Sequence, residues 1–268
     1  MQPIGFIGAG NMAEAIIRGL RAVGMLTEIR VTNRSNQEKL HFMAEQYKVI
    51  PSIFEEIVKE SEIILLAVKP KDMLGVLHDL QKDLKPSQLL ITVAAGIPMK
   101  TYETNLPRIP VVRAMPNTSS AVLKSMTGLV RGTAVQENHR QMAEEIFQAV
   151  GKTLWITEEK MNPLMSISAS GPAYFYLFTE TLIQAGISSG LSEEDAELLA
   201  KETLFGTAQM LKESGKSPAR LREEVTSPKG TTLAALNVFW EKDLQGVVTG
   251  AAKACQIRAE EMEREYQG

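Results

Sequence analysis

The run Gly8-Ala9-Gly10-Asn11-Met12-Ala13 follows directly on the apolar stretch 4–7 and opens a helical pattern at 12–23. A G-x-G-x-x-A pattern set between a strand and a helix leaves a chain few options. The first glycine permits the tight turn out of the strand, and the second lets the backbone approach a pyrophosphate. Ala13 is small enough to keep the helix close to the strand. Gly8, Ala9, Gly10, Asn11 and Met12 are therefore expected to form the phosphate end of a dinucleotide site. The unpaired N–H groups of the helix start would face the anion.

The same alternation continues along the chain. Short apolar runs at 4–7, 29–32, 63–68, 89–93, 111–115 and 126–130 are separated by helical patterns such as 12–23 and 37–46. Strand and helix in turn is the signature of βαβ units around a parallel sheet. The first half is thus expected to be an α/β Rossmann-type doubly wound sheet. After about Thr157 the strand pattern ends. An apolar stretch at 162–186 is interrupted by Gly171-Pro172, where proline removes an N–H and crowds the preceding turn. Helical patterns then fill 193–214, 218–225, 232–240 and 245–266. The expected layout is an NAD(P)-binding domain over 1–158 and an all-helical domain over 159–268. The helices are too few and too apolar to build a generous core alone, which predicts a homo-oligomer, a dimer or larger, through the helical domain.

Charge and cysteine content exclude other classes. The net charge of −3 lacks the basic excess of a nucleic-acid binder, so no nucleic-acid partner is expected. A single cysteine, Cys255, rules out an internal disulfide and a cysteine-based metal cluster, and suits a reducing compartment. The chain starts in an apolar strand with no basic leader or cleavage site, and no run is long enough for a membrane span. A cytoplasmic protein without membrane association is expected.

Cofactor choice is read at the end of the second strand, where an Asp or Glu would hold the ribose hydroxyls of NAD. Here stand Thr32-Asn33-Arg34-Ser35. Arg34 can pair with a 2′-phosphate, while Asn33 and Ser35 offer neutral hydrogen bonds. NADPH is the expected cofactor, with NADH weaker. Two further strand ends, Ala67-Val68-Lys69-Pro70 and Ala94-Ala95-Gly96-Ile97, fall at the sheet's carboxyl edge, where ligands bind in open α/β folds. Ala67, Val68, Lys69, Pro70, Ala95 and Gly96 are expected to line the nicotinamide end.

In the second half the polar, glycine-hinged stretch Val225-Thr-Ser-Pro-Lys-Gly-Thr-Thr232 runs into an apolar-striped helix. Pro228 and Gly230 shape a turn, and Ser227, Thr231 and Thr232 present hydroxyls beside the open N–H groups of a helix start. An anion cradle and a simple helix cap are both open readings of it. The histidines, His41, His78 and His139, lie on polar helical stretches and read as surface residues, and no metal site is indicated. With no lysine or histidine placed to move an alcohol proton, the chain fits reduction of a cyclic imine, which needs mainly orientation and modest polar stabilisation. A β-hydroxyacid dehydrogenase-like reductase would want a lysine on the helix after Asn162, which offers only Ser166, Ser168 and Ser170 near its start. A regulatory relative that binds NADPH without catalysis also remains open.

Five segments, in order, resemble pyrroline-5-carboxylate reductases: Gly5 to Ala13, Ala67 to Pro70, Met115-Pro116-Asn117-Thr118, Ser168 to Tyr174, and Val225 to Glu241. The resemblance spans nearly the whole chain. It implies NAD(P)H-dependent reduction of 1-pyrroline-5-carboxylate, a small imino acid, to L-proline as the last step of proline biosynthesis. It also implies dimers with interleaved helical domains, the partner's helices completing the active site. Carried over, it places the substrate carboxylate on the N–H groups around Gly230, Thr231 and Thr232 beside Ser227, and the Thr232 hydroxyl on the ring nitrogen. Ala95 would lie against the nicotinamide, with Asn117 lining the pocket. Two residues depart from the family's pattern: Lys229 stands where the loop commonly has glycine, and Phe54 where many members carry asparagine near the adenosine.

Overall fold

Strands that are apolar at every position need cover on both faces, and the computed structural model, which describes residues 2–34 and 36–266, provides it. The strands are β1 Ile4–Ile7, β2 Ile29–Thr32, β3 Ile50–Pro51, β4 Ile63–Leu66, β5 Leu89–Thr92, β6 Val111–Met115, β7 Ser125–Arg131 and β8 Gly151–Trp155. The first helices are α1 Asn11–Ala22, α2 Gln37–Tyr47, α3 Phe54–Glu60, α4 Pro70–Leu80, α5 Met99–Asn105 and α6 Glu137–Gln148. After them come α7 Met161–Leu164, α8 Gly171–Ser188, α9 Glu193–Glu213, α10 Pro218–Glu224, α11 Thr231–Glu241 and α12 Leu244–Arg264.

The sheet has eight strands in the order β3-β2-β1-β4-β5-β6-β7-β8. Every neighbouring pair is parallel except β6 with β7. The chain winds outward in both directions from β1, so the strand order reverses between β1 and β4, and a crevice opens there at the carboxyl ends. Alternate residues feed two cores. Ile4, Phe6, Ile63 and Leu65 pack with Ile16, Ile17 and Leu20 of α1 and Phe147 of α6. Ile7, Ile64, Leu66 and Leu90 pack on the other face with Ile57, Met73, Leu77 and Tyr102. Each such side chain contributes roughly 1.5–3 kcal/mol when fully buried.

Two strands and one histidine differ from the sequence expectation. β3 is two residues ending in proline, and β8 alternates half-buried with exposed positions, so neither forms an apolar run. His139 is a buried residue of the α6 first turn, not a surface one. Its Nδ1 accepts the Gln136 N–H at 3.2 Å, closing a capping box, and burial pulls the imidazole below its ordinary pKa.

The strands end at Trp155, and the chain forms two compact units, Met1–Ser170 with Ala254–Gly268, and Gly171–Lys253. The interruption at Gly171-Pro172 takes a specific form: α7 runs into a π-helical segment, Met165–Ala169, and α8 starts afresh at Gly171. In the second unit α8 and α9 pack where Gly186 meets Ala196 and Leu191. Among the described residues, no helix is long and apolar enough to cross a membrane.

Candidate active site

The turn after β1 is built around Gly8. Its φ of +105° and the carbonyl of Ala67, which an added Cβ would meet at 2.6 Å, leave no choice but glycine. Hydrogen bonds from Gly8 N to Thr32 O and from Ala67 N to Ile7 O, both 2.9 Å, lock the turn between the ends of β2 and β4. Gly10 is the N-cap of α1 and brings no side-chain cap, so the first-turn N–H groups stay open. A Cβ on Gly10 would have only Ala67 O near it, at 3.9 Å, so the space in front of the helix start is free for a phosphate.

Glu14 is the one acidic group in that first turn. Burial works to raise its pKa, but hydrogen bonds from Lys39 and Tyr47 outweigh this and hold the carboxyl below its ordinary value. The Lys39 ammonium neutralises it, which keeps negative charge away from an incoming anion. Beyond β2, Arg34 is exposed, while Asn33 is pinned at the start of α2, its Nδ2 donating to Asn36 O at 3.1 Å. Ser35 lies outside the described residues.

The other sheet-edge segments meet the same crevice. Lys69 is the N-cap of α4 with Pro70 at its first position, again without a side-chain cap, so a second bare helix start follows Ala67 and Val68. After β5, Ala94 N reaches Thr92 Oγ1 at 3.3 Å, and the Thr92 hydroxyl bonds the Tyr102 phenol at 2.8 Å. Burial outweighs the lowering pull of the Thr92 hydroxyl and of Arg113 and pushes the Tyr102 phenol up to about 12, so it is a fixed neutral strut. Gly96 has a φ of +75°, and Met262, from the last turns of α12, stands 3.1 Å from where its Cβ would be. Nothing in the local sequence foretells that contact, because it joins positions from opposite ends of the chain.

Asn117 sits just past β6 with both ends of its amide held: Oδ1 accepts the Ser119 N–H at 3.1 Å, and Nδ2 donates to Ser168 O at 3.0 Å. Gly8 to Met12, Asn33, Arg34, Ala67 to Pro70, Ala95, Gly96 and Asn117 thus all stand at carboxyl ends of the sheet strands.

In the helical unit, Ser227-Pro228-Lys229-Gly230 makes a turn closed by Gly230 N to Ser227 O at 3.0 Å. Lys229 adopts a φ of +59°, the left-handed conformation that the third position of a type II turn requires. A Cβ on Gly230 would clash with Ser227 Oγ. Gly230 is the N-cap of α11 and offers no side-chain cap; Thr231 and Thr232 are its first two residues, both exposed. The cap reading of Thr232 therefore does not hold. The hydroxyls of Ser227, Thr231 and Thr232 have no protein hydrogen-bond partner among the described residues, so the loop presents open N–H groups and free hydroxyls on one helix start. Among the described residues, no cluster of His, Cys, Asp or Glu could hold a metal ion.

A doubly wound sheet with two bare helix starts at its switch-point crevice, joined in one chain to a helical unit with an uncapped, hydroxyl-bearing helix start, is the layout of the dinucleotide-binding class. Pyrroline-5-carboxylate reductase from Pseudomonas aeruginosa is 38% identical over 97% of this chain and 96% of its own length. The chain belongs to the pyrroline-5-carboxylate reductase family. The second such enzyme of Bacillus subtilis is 36% identical over 100% of this chain and 98% of its own. The family model for pyrroline-5-carboxylate reductase dimerisation matches residues 158–262, and that for NADP oxidoreductase, coenzyme F420-dependent, matches residues 3–96. A solved pyrroline-5-carboxylate reductase from Coxiella burnetii superposes with a TM-score of 0.91 at 37% identity, covering 97% of each chain. The Plasmodium falciparum pyrroline carboxylate reductase, solved with NADP bound, gives 0.86 at 27% identity over 98% of each chain.

Proposed function

We propose that this chain reduces 1-pyrroline-5-carboxylate to L-proline with NADPH, the last step of proline biosynthesis, as its family does. The observation that carries the substrate side is the uncapped start of α11 with the free hydroxyls of Ser227, Thr231 and Thr232. NADPH, when bound, supplies the hydride. The bare helix starts at Gly10 and Lys69 fit its phosphates, with Gly8, Ala9, Asn11 and Met12 against the pyrophosphate. Asn33, Arg34 and Ser35 would take the 2′-phosphate end. Ala67, Val68, Pro70, Ala95 and Gly96 would border the nicotinamide, and Asn117 would form a fixed wall beside it. NADH, without the phosphate that Arg34 pairs with, is the weaker cofactor.

The substrate carboxylate rests on the N–H groups of Thr231 and Thr232 at the positive end of α11, within reach of Ser227. Gly230 keeps the approach to that end narrow and free of side chain. The ring nitrogen arrives protonated, so the chain need not deliver a proton to it; the Thr232 hydroxyl accepts its N–H and sets the orientation of the C=N carbon. Hydride addition to that carbon leaves a neutral secondary amine. The cradle is offered to the cofactor cleft of a second copy, which makes assembly part of the site. A division into a cofactor domain over 1–158 and a helical domain over 159–268, and a cytoplasmic location, belong to the same reading.

The test is loss of reduced-nicotinamide absorbance with 1-pyrroline-5-carboxylate, against its six-membered homologue and no imine. Turnover should require the five-membered imino acid. NADPH binding without turnover would leave a regulatory protein instead. Thr232→Ala should lower kcat/KM by about 1–3 kcal/mol with NADPH affinity unchanged; wild-type turnover would remove Thr232 from the mechanism.

A further inference from the structure

The carbonyl of Ser168, within the π-helical segment Met165–Ala169, accepts a side-chain donor from the sheet edge. In a continuous α-helix the carbonyl of Ser168 would accept the N–H of residue 172. Residue 172 is proline and has none. Asn117 Nδ2 donates to that carbonyl at 3.0 Å. The orientation of the amide is fixed by its other end, where Oδ1 accepts the Ser119 N–H at 3.1 Å. The Asn117 backbone is held as well: its N–H donates to Ser125 Oγ at 3.2 Å, and its carbonyl accepts the Ser120 hydroxyl at 2.8 Å. A parallel tie joins Ser168 Oγ to Met126 O at 3.0 Å. One Nδ2 hydrogen and the Oδ1 acceptor are thus committed to the protein, which fixes the plane of the amide.

We infer that Asn117 is a positioning residue: its side-chain N–H replaces the one that Pro172 lacks, clasping the π-helical segment to the carboxyl end of β6 and holding that edge still beside the nicotinamide position. This rests on the proposed reaction, in which Asn117 touches neither substrate nor cofactor by hydrogen bond and acts through Ser168.

The clasp can be opened and replaced independently. Asn117→Ser keeps a hydroxyl able to cap Ser119 but is too short to reach Ser168. Pro172→Ala returns an N–H at residue 172. Asn117→Ser alone should lower kcat roughly three- to tenfold, the worth of one hydrogen bond, with KM for 1-pyrroline-5-carboxylate little changed. In the Pro172→Ala background the same change should cost less than twofold, while Pro172→Ala alone stays near wild type. An equal loss in both backgrounds, or a loss confined to KM, would mean that Asn117 contacts the substrate and would overturn the inference. The same four proteins compared in urea unfolding give the coupling without turnover. Failure of the proposed reaction would show as an inactive wild type, whereas failure of the clasp would show as an absent coupling in unfolding.

Discussion

The two compact units solve the burial problem in opposite ways. In the sheet unit, Ile4, Phe6, Ile16, Ile63, Leu66 and Phe147 are all but inaccessible, along with the rest of two continuous cores. In the helical unit the buried apolar side chains are Ala196 and Ala200, while Phe175, Tyr176, Leu198, Phe205 and Trp240 stand exposed. Hydrophobic effect and packing act equally on both. A unit that leaves its large side chains outside while keeping well-formed helices draws its stability from another copy of itself. The match of residues 158–262 to the family's dimerisation module says the same: the chain forms a homo-oligomer through these helices.

The hardest way to break that contrast is to put a charge on each kind of exposed apolar site. Phe205, 67% exposed on α9, lines a groove with Tyr176 and Leu204. Phe205→Glu would bury an unpaired carboxylate in the assembly at a cost of several kcal/mol, so light scattering should show monomer or aggregate and activity should vanish. Leu26, 93% exposed in the sheet unit, should accept the same change with neither effect. An intact Phe205→Glu oligomer would mean that this face is not where copies meet.

Next in size is a change inside the self-sufficient unit. The Arg113 guanidinium is wholly buried and bonded to Glu158 at 2.5 Å and Glu263 at 3.2 Å, tying β6 to the end of α12. Met99 N–H and Asn162 Nδ2 complete the carboxylates' partners. Arg113→Met leaves two half-buried carboxylates facing each other and should cost about 3–5 kcal/mol, read as a lower urea midpoint. The oligomeric state at low denaturant should not move, which separates this loss from that of Phe205→Glu.

The same contrast explains what could be read from sequence. The Gly8 turn, the β1, β2 and β4 runs and the helical second half are local patterns, and a local pattern carries its own physical reason. β8 escaped because it is an edge strand carrying Lys152 and Thr153 among its exposed and half-buried positions, and β3 because two residues make no period. His139 looked like a surface residue because its capping bond to Gln136 cannot be seen in a helical pattern. Met262 over Gly96, Glu263 on Arg113 and Ser168 on Asn117 are invisible for a different reason: each is fixed by the return of distant chain to the sheet edge. Lys229 was recognisable as irregular, but only its φ says why glycine suits the position.

A smaller effect probes the cofactor edge of the sheet unit. Arg34 is exposed and has no structural duty in the core, so its charge is available for a phosphate. Arg34→Ala should weaken NADPH by about 1.5–3 kcal/mol, leave NADH nearly untouched, and leave unfolding unchanged. Equal loss for both cofactors in steady-state kinetics would remove the 2′-phosphate role from Arg34.

The smallest effect compares a turn in each unit. Gly8 has both a positive φ and a backbone carbonyl where its Cβ would go, so the sheet unit enforces glycine twice over. Lys229 has the positive φ alone, on an exposed turn with nothing in its way, so the helical unit bears only the conformational cost. That cost for a residue with a Cβ is about 1–2 kcal/mol, against which glycine loses roughly 0.5–1 kcal/mol through its freer unfolded chain. Lys229→Gly should therefore raise stability by only about 0.5 kcal/mol, and KM for the imino acid should stay constant because the ammonium points from an exposed position into solvent-screened surroundings. A several-fold rise in KM would instead make Lys229 a cation for the carboxylate, held in a strained conformation for the charge it brings to the cradle.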